Sequence, residues 1–130
     1  MILVDSSVLI DYFNGVKNPQ TDKLNDLLGR EVVAISDYIL TEVLQGFRSN
    51  KDYKEAKLVL RAFPCLELCG MEIAEKSTEN FRKLRKKGIT IRKTIDVIIA
   101  TFCIENDIYL LHKDSDFLPF QKHLGLKSVL

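Results

Sequence analysis

Four short apolar segments, each broken by polar residues and each followed by residues at helical spacing, constrain this chain more than any other feature. They are Ile2-Leu3-Val4 after Met1, Val32 to Ile35, Cys65 to Cys69, and Ile108 to Leu111. A strand with one solvated face alternates apolar and polar residues, whereas a strand covered on both faces reads as a continuous run. Strands that alternate with helices in sequence build a parallel sheet. The pattern therefore predicts an α/β fold with a central parallel sheet of four to five strands and helices on both faces, the fifth strand being Leu126 to Leu130. With 130 residues, and no linker, repeat or low-complexity segment, residues 1–130 read as a single domain. A chain of that length buries roughly two thirds of the surface its unfolded form exposes.

The helices announce themselves by caps and stops. Asp5-Ser6-Ser7 ends the first run and opens a short helix through Phe13, which Asn14-Gly15 closes. Asn18-Pro19 starts a second helix that carries Leu24, Leu27 and Leu28 and stops at Gly29. Ser36 and Asp37 are N-cap candidates for a helix through Phe47, with Ile39, Leu40, Val43, Leu44 and Phe47 at helical spacing. Another runs from about Lys51 to Ala62. Gly70 precedes a long helix from about Met71 to Lys87, and Thr94 caps one from Ile95 to Asn106 that is apolar on nearly all sides and so belongs at the centre.

Composition excludes several classes. Hydrophobic residues at 46% and charged residues at 28% exclude a disordered chain. No apolar stretch approaches the roughly 20 residues that span a bilayer. The start, Met-Ile-Leu-Val-Asp, carries no export signal, so a cytoplasmic location is expected. Cys65, Cys69 and Cys103 lie among apolar neighbours without metal-ligand spacing and read as buried thiols. The net charge of +1 hides a local asymmetry: from Arg82 to Lys93 there are seven basic residues (Arg82, Lys83, Arg85, Lys86, Lys87, Arg92, Lys93) and no acid. A basic helix end that favours the C-terminal dipole accounts for the strip, and so does a phosphate-binding surface.

Chemistry is expected at the carboxyl ends of parallel strands, where open α/β sheets bind ligands. Asp5 stands at one strand-to-helix junction, Asp114 and Asp116 stand after another, and Asp96 lies in the first turn of the apolar helix. Each also reads as an ordinary cap or dipole partner. Gathered together, such carboxylates repel one another unless a cation neutralises them. An all-oxygen set without Cys or His points to Mg2+, for which Mn2+ can substitute, rather than zinc.

Asp5-Ser6-Ser7-Val8-Leu9-Ile10-Asp11, Thr41-Glu42-Val43, Asp96-Val97-Ile98-Ile99-Ala100 and Leu110-Leu111-His112-Lys113-Asp114-Ser115-Asp116-Phe117 resemble, in that order, the signature blocks of PIN-domain ribonucleases. Their length and spacing are similar to those of the VapC toxins of VapBC toxin–antitoxin systems, over nearly the whole chain. The resemblance implies a PIN-like domain and a metal-dependent endoribonuclease that cuts structured RNA, tRNA or rRNA, to inhibit translation. It implies Asp5, Glu42, Asp96, Asp114 and Asp116 as the acidic site, with Asp5, Asp96, Glu42 and Asp114 on the metal and Ser7 as a supporting hydroxyl. Glu42 enters by the resemblance alone, since it projects about 60° outside the apolar stripe of its helix, where a solvated Glu also lies. His112 departs from the family, many members of which carry Thr or Ser there. A VapB-type antitoxin, a homodimer and a toxin–antitoxin hetero-oligomer are implied as partners.

If five acids share one site, removing them from a net of +1 leaves the rest of the chain at +6, and the basic strip becomes the expected RNA-binding flank. An apolar groove around Leu24, Leu27, Leu28, Ile39, Leu40 and Leu58 is expected to seat an antitoxin helix. Carboxylates that begin to protonate below about pH 5 would release the ion. A non-catalytic receiver-like α/β signalling or scaffold domain is the alternative, but it calls for adjacent acids after the first strand. A phosphatase with Asp5 as nucleophile calls for a second acid where Ser7 stands.

Overall fold

The computed structural model describes residues 1–130. The chain runs β1 (Ile2–Val4), α1 (Ser6–Phe13), α2 (Pro19–Leu27), β2 (Val33–Ser36), α3 (Asp37–Gln45), α4 (Asn50–Leu60), β3 (Cys65–Leu66), α5 (Met71–Lys86), α6 (Thr94–Glu105), β4 (Tyr109–Leu111), a 3-10 turn (Ser115–Phe117) and α7 (Leu118–His123). The four strands lie in the order β3-β2-β1-β4. All pairings are parallel, with Leu3 opposite both Ala34 and Leu110. The α/β fold expected from the apolar runs is therefore present, with four strands.

That strand order positions everything that follows. The chain builds outward from β1 through β2 to β3, then returns to place β4 on the other side of β1. The reversal lies between β1 and β4, and ligands of open α/β sheets bind at such a reversal, outside the carboxyl ends. Asp5 follows β1 directly, and its backbone N–H donates to the Leu111 carbonyl at 2.9 Å, so the two strand ends are stitched together at that place.

Local chemistry explains the helix starts. Ser36 Oγ accepts from the Ile39 N–H at 3.1 Å, and Asn18 with Thr21 forms a reciprocal capping box ahead of Pro19. Thr94 differs from expectation: it is the first helical residue of α6, the cap position is Lys93, and no side chain caps that end. The helix is instead held by burial of Val97, Ile99, Ala100 and Cys103, as its all-round apolar sequence requires. The chain also forms α7, a six-residue helix beyond those expected from the sequence. It exists because Phe117 and Phe120 are both completely buried and drag the segment after β4 onto the core.

Three further expectations are corrected. Leu126–Leu130 forms one parallel bridge, Leu110 to Ser128, rather than a strand, and Ser128 Oγ donates to the Leu130 carbonyl. The third strand stops at Leu66, because the Leu68 N–H donates to Asp37 Oδ1 at 3.3 Å instead of to a neighbouring strand. Only Cys103 is a buried thiol; Cys65 is exposed and Cys69 half-buried, since β3 is the edge of the sheet. No helix is long and apolar enough to cross a membrane.

Candidate metal centre

Asp5, Asp96, Asp114 and Asp116 reach the β1–β4 reversal from three elements. Asp5 is 3% exposed. Its Oδ2 accepts from the Ser7 N–H at 3.1 Å and from Ser7 Oγ at 2.6 Å, so it caps α1 and is held in place by doing so. Ser7 Oγ in turn accepts from the Lys113 N–H at 3.2 Å. One hydroxyl thus ties the acid after β1 to the loop after β4.

Asp114 shows the same double use. Its Oδ1 accepts from the Asp116 N–H at 2.9 Å, capping the 3-10 turn. Phe117, buried one residue beyond Asp116, fixes that turn against the core. Asp96 comes from the first turn of α6 and is 4% exposed, and its Oδ2 is buried with no hydrogen-bond partner. Oxygen atoms of Asp96, Asp114 and Asp116 lie within 4.8 Å of one another. Asp116 Oδ2 also lacks a hydrogen bond, although Arg92 stands 3.7 Å from it.

Glu42 arrives from α3, which packs across α1 because β2 lies beside β1. Ser6 Oγ donates to Glu42 Oε1 at 3.3 Å, and the side chain is half-buried. No local sequence signal marks this residue, because its role depends on a contact between helices 36 residues apart in sequence.

The electrostatics follow from this crowding. Burial, then the charge of Asp5, pushes the Asp96 carboxyl up to about 7; Asp114 and Glu42 push the same way and Lys93 opposes them. Burial also raises Glu42, with Asp5 the next cause. Asp5 is raised by burial against the bonds from Ser7, with His112 assisting its charged form. Without a cation, Asp96 therefore holds a proton up to about pH 7. A buried carboxylate with an unpartnered oxygen, facing further acids, is stable as an anion only when a cation joins it. The donor set is all oxygen, and it fits a hard divalent ion.

The basic strip divides in two. Arg92 and Lys93, in the segment before α6, stand at the acids, with Lys93 Nζ 3.8 Å from Asp114 Oδ2. Arg82, Lys83, Arg85, Lys86 and Lys87 are exposed around the last turns of α5, which meets α6 through a short connection. His112 is buried, with Nε2 2.5 Å from Gln121 Oε1 and its ring against Phe117. The hydroxyl beside Asp5 is that of Ser7. The expected apolar groove is partly core: Leu24, Leu27 and Ile39 are buried. Leu28 and Leu58 are exposed, while Leu40 lines a cavity of about 290 Å³ with Leu44, Leu60 and Phe63.

The comparisons agree with this geometry. Residues 2–122 match the family described as PIN domain. Ribonuclease VapC1 of Methanocaldococcus jannaschii is 30% identical over 126 residues, covering 97% of this chain and 85% of that protein. Ribonuclease VapC11 of Mycobacterium tuberculosis is 25% identical over 119 residues, covering 90% and 89%. Among solved structures, VapBC2 from Rickettsia felis bound to a DNA fragment from its promoter matches with a TM-score of 0.78 at 18% identity, covering 98% of this chain and 97% of that one. A parallel sheet that reverses at β1, acids drawn to the reversal from both ends of the sequence, and these relatives lead to one conclusion: the chain belongs to the PIN-domain family, in its VapC group.

Proposed function

We propose that this chain is a Mg2+-dependent endoribonuclease, the toxin of a toxin–antitoxin pair, which acts in the cytoplasm on structured RNA such as tRNA or rRNA and thereby stops translation. The observation that carries the reading is Asp96: a buried carboxyl with an unpartnered oxygen, pushed up to about 7 by burial and by Asp5, Asp114 and Glu42. An acid is kept in so unfavourable a setting where a cation uses it.

Asp5, Glu42, Asp96 and Asp114 would hold the ion, and Asp116 would complete the catalytic acids. Such an ion, when bound, supplies Lewis acidity toward a phosphoryl oxygen and lowers the pKa of water beside it. The remaining work belongs to the chain's own groups. Ser7 keeps Asp5 aimed. Arg92 and Lys93 hold backbone phosphate next to the acids, and Arg82, Lys83, Arg85, Lys86 and Lys87 extend the positive surface along which a polyanion approaches. A VapB-type antitoxin would restrain the enzyme, its apolar helix resting near Leu28, Leu40 and Leu58, and a homodimer would let paired toxins meet paired antitoxins.

The test is cleavage of a structured RNA by purified protein with Mg2+, Mn2+, Ca2+ or excess chelator, beside Asp5→Asn. Activity is expected with Mg2+ and Mn2+, little with Ca2+ because its larger and looser shell orients attack poorly, and none with chelator or the variant. Undiminished cleavage in chelator would overturn the reading.

A further inference from the structure

Asp11 closes the first of the four sequence blocks, and none of the assigned roles uses it. It stands one helical turn after Ser7 on α1, so the two side chains share a face of that helix. Both reach Lys113. Ser7 Oγ accepts from the Lys113 N–H at 3.2 Å, and Asp11 Oδ2 accepts from Lys113 Nζ. The next residue is Asp114. One face of α1 therefore fastens the loop after β4 at two points, a backbone N–H and a side-chain ammonium, immediately before the acids that the loop carries.

Asp11 is itself held from behind. Asn18 Nδ2 donates to Asp11 Oδ2 at 2.9 Å, while Asn18 Oδ1 accepts from the Thr21 N–H at 2.8 Å and caps α2. The Val16 N–H donates to the Asp11 carbonyl at 2.9 Å, and Thr21 Oγ1 donates to the Val16 carbonyl at 3.0 Å. The connection between α1 and α2 is thus closed around this one residue. The Asp11 side chain is 15% exposed and that of Lys113 43%, so the lysine reaches in from the surface to a fixed acceptor.

The loop after β4 requires such a hold. Oxygen atoms of Asp96, Asp114 and Asp116 lie within 4.8 Å of one another, where like charges repel. Asp96 is set in the buried α6, so the repulsion acts to push the loop outward. An acid that strays by more than about 0.5 Å serves an ion poorly. Burial of His112 and Phe117 secures the inner side of the loop, and Lys113 is its outer fastening. Resting on the metal centre proposed above, we propose that Asp11 is a positioning residue: through Lys113 it keeps Asp114 and Asp116 in register with Asp96, without itself joining the ion.

Calorimetric titration of Mn2+, in the absence of RNA, into the wild type, Asp11→Asn, Lys113→Met and the double variant tests this. Lys113→Met keeps the backbone N–H on Ser7 and removes a positive charge beside the acids. Charge alone would then tighten cation binding, whereas lost positioning weakens it. Each single variant should bind Mn2+ roughly tenfold more weakly, and the double variant no more weakly than either, because both substitutions break one link. At saturating Mn2+, kcat for RNA cleavage should fall while KM is unchanged. Melting temperatures in chelator check that the variants fold, which the exposure of Lys113 favours. Tighter binding by Lys113→Met, losses that add in the double variant, or wild-type affinity in both single variants would overturn the assignment while the metal centre stands. A raised KM with kcat intact would make Lys113 an RNA contact instead and overturn it too. A wild type that binds no Mn2+ removes both the assignment and the metal centre.

Discussion

Replacing Asp96 by Asn should stabilise the metal-free protein at alkaline pH and destabilise it, relative to wild type, once metal is added. Burial and neighbouring acids lift Asp96 from 3.8 to about 7. At about 1.4 kcal/mol per pKa unit, the charged form disfavours the folded state by a ceiling of about 4 kcal/mol. Water at the mouth of the site screens part of this, leaving about 2 kcal/mol. Between about pH 4 and 7 the folded chain binds a proton that the unfolded chain lacks, so stability from this group falls as pH rises through that window and is level above it. Asn has no such proton. The variant should therefore match the wild type near pH 4 and, at roughly 3 to 5 °C per kcal/mol for a domain of this size, melt about 6 to 10 °C higher at pH 8 in chelator. With Mn2+ at 100 times its Kd the wild type should gain about 2.7 kcal/mol, and the variant, lacking one ligand, should gain little. Differential scanning fluorimetry at both pH values, with chelator or Mn2+, reads all of this. An Asn variant that melts at or below the wild type at pH 8 in chelator would refute the account of Asp96 as a carboxylate held against its own charge. An undiminished Mn2+ shift would refute its place on the metal.

The same carboxyl sets the pH dependence of metal binding: calorimetric affinity for Mn2+ should fall by about tenfold per pH unit as pH drops below 7, since a proton must leave Asp96, and an affinity flat down to pH 5 would contradict this. Ser7→Ala removes the 2.6 Å bond to Asp5 Oδ2 and the acceptor for the Lys113 N–H, and should cost about 1 kcal/mol by denaturation and lower kcat more than it raises KM. Lys86→Ala/Lys87→Ala should weaken RNA binding and lower the salt slope by roughly 0.7 per lost phosphate contact without moving Mn2+ affinity; an unchanged slope would return these lysines to a plain helix end. For a cognate antitoxin with a basic tail, truncating the tail should weaken inhibition in a ribonuclease titration while leaving groove binding, because cations in the tail compete with metal for Asp5, Glu42 and Asp96.

Much of the fold was legible because burial on both faces writes itself into sequence as unbroken runs such as Ile2-Leu3-Val4, and because caps such as Asn18-Pro19 have local causes. The acids at strand ends were legible for the same reason, though as alternatives: Asp5 and Asp114 read either as caps or as site residues. The structure shows both as caps, each accepting from the backbone N–H two residues on, and such a cap also holds the carboxylate in the place that the proposed site requires. Glu42 was not legible without the family resemblance, because its place depends on α3 crossing α1. The short α7 escaped because six residues show too little periodicity, although Pro119 and Phe120 hinted at it. Leu24, Leu27 and Ile39 were expected in a groove and lie in the core, since an apolar stripe does not say which of its residues an inner layer covers.

The position of β1 in the middle of the sheet has a consequence for the order of folding. Asp5 and Asp116 are far apart in sequence, and the hydroxyl of Ser7 meets Lys113 only when the segment after β1 and the segment after β4 have joined. A folding intermediate that has paired β1 with β2 and packed α3 on α1 still lacks the loop that carries Asp114 and Asp116. The acids therefore come together only as β4 docks beside β1, so that completing the sheet and crowding the carboxylates are one event.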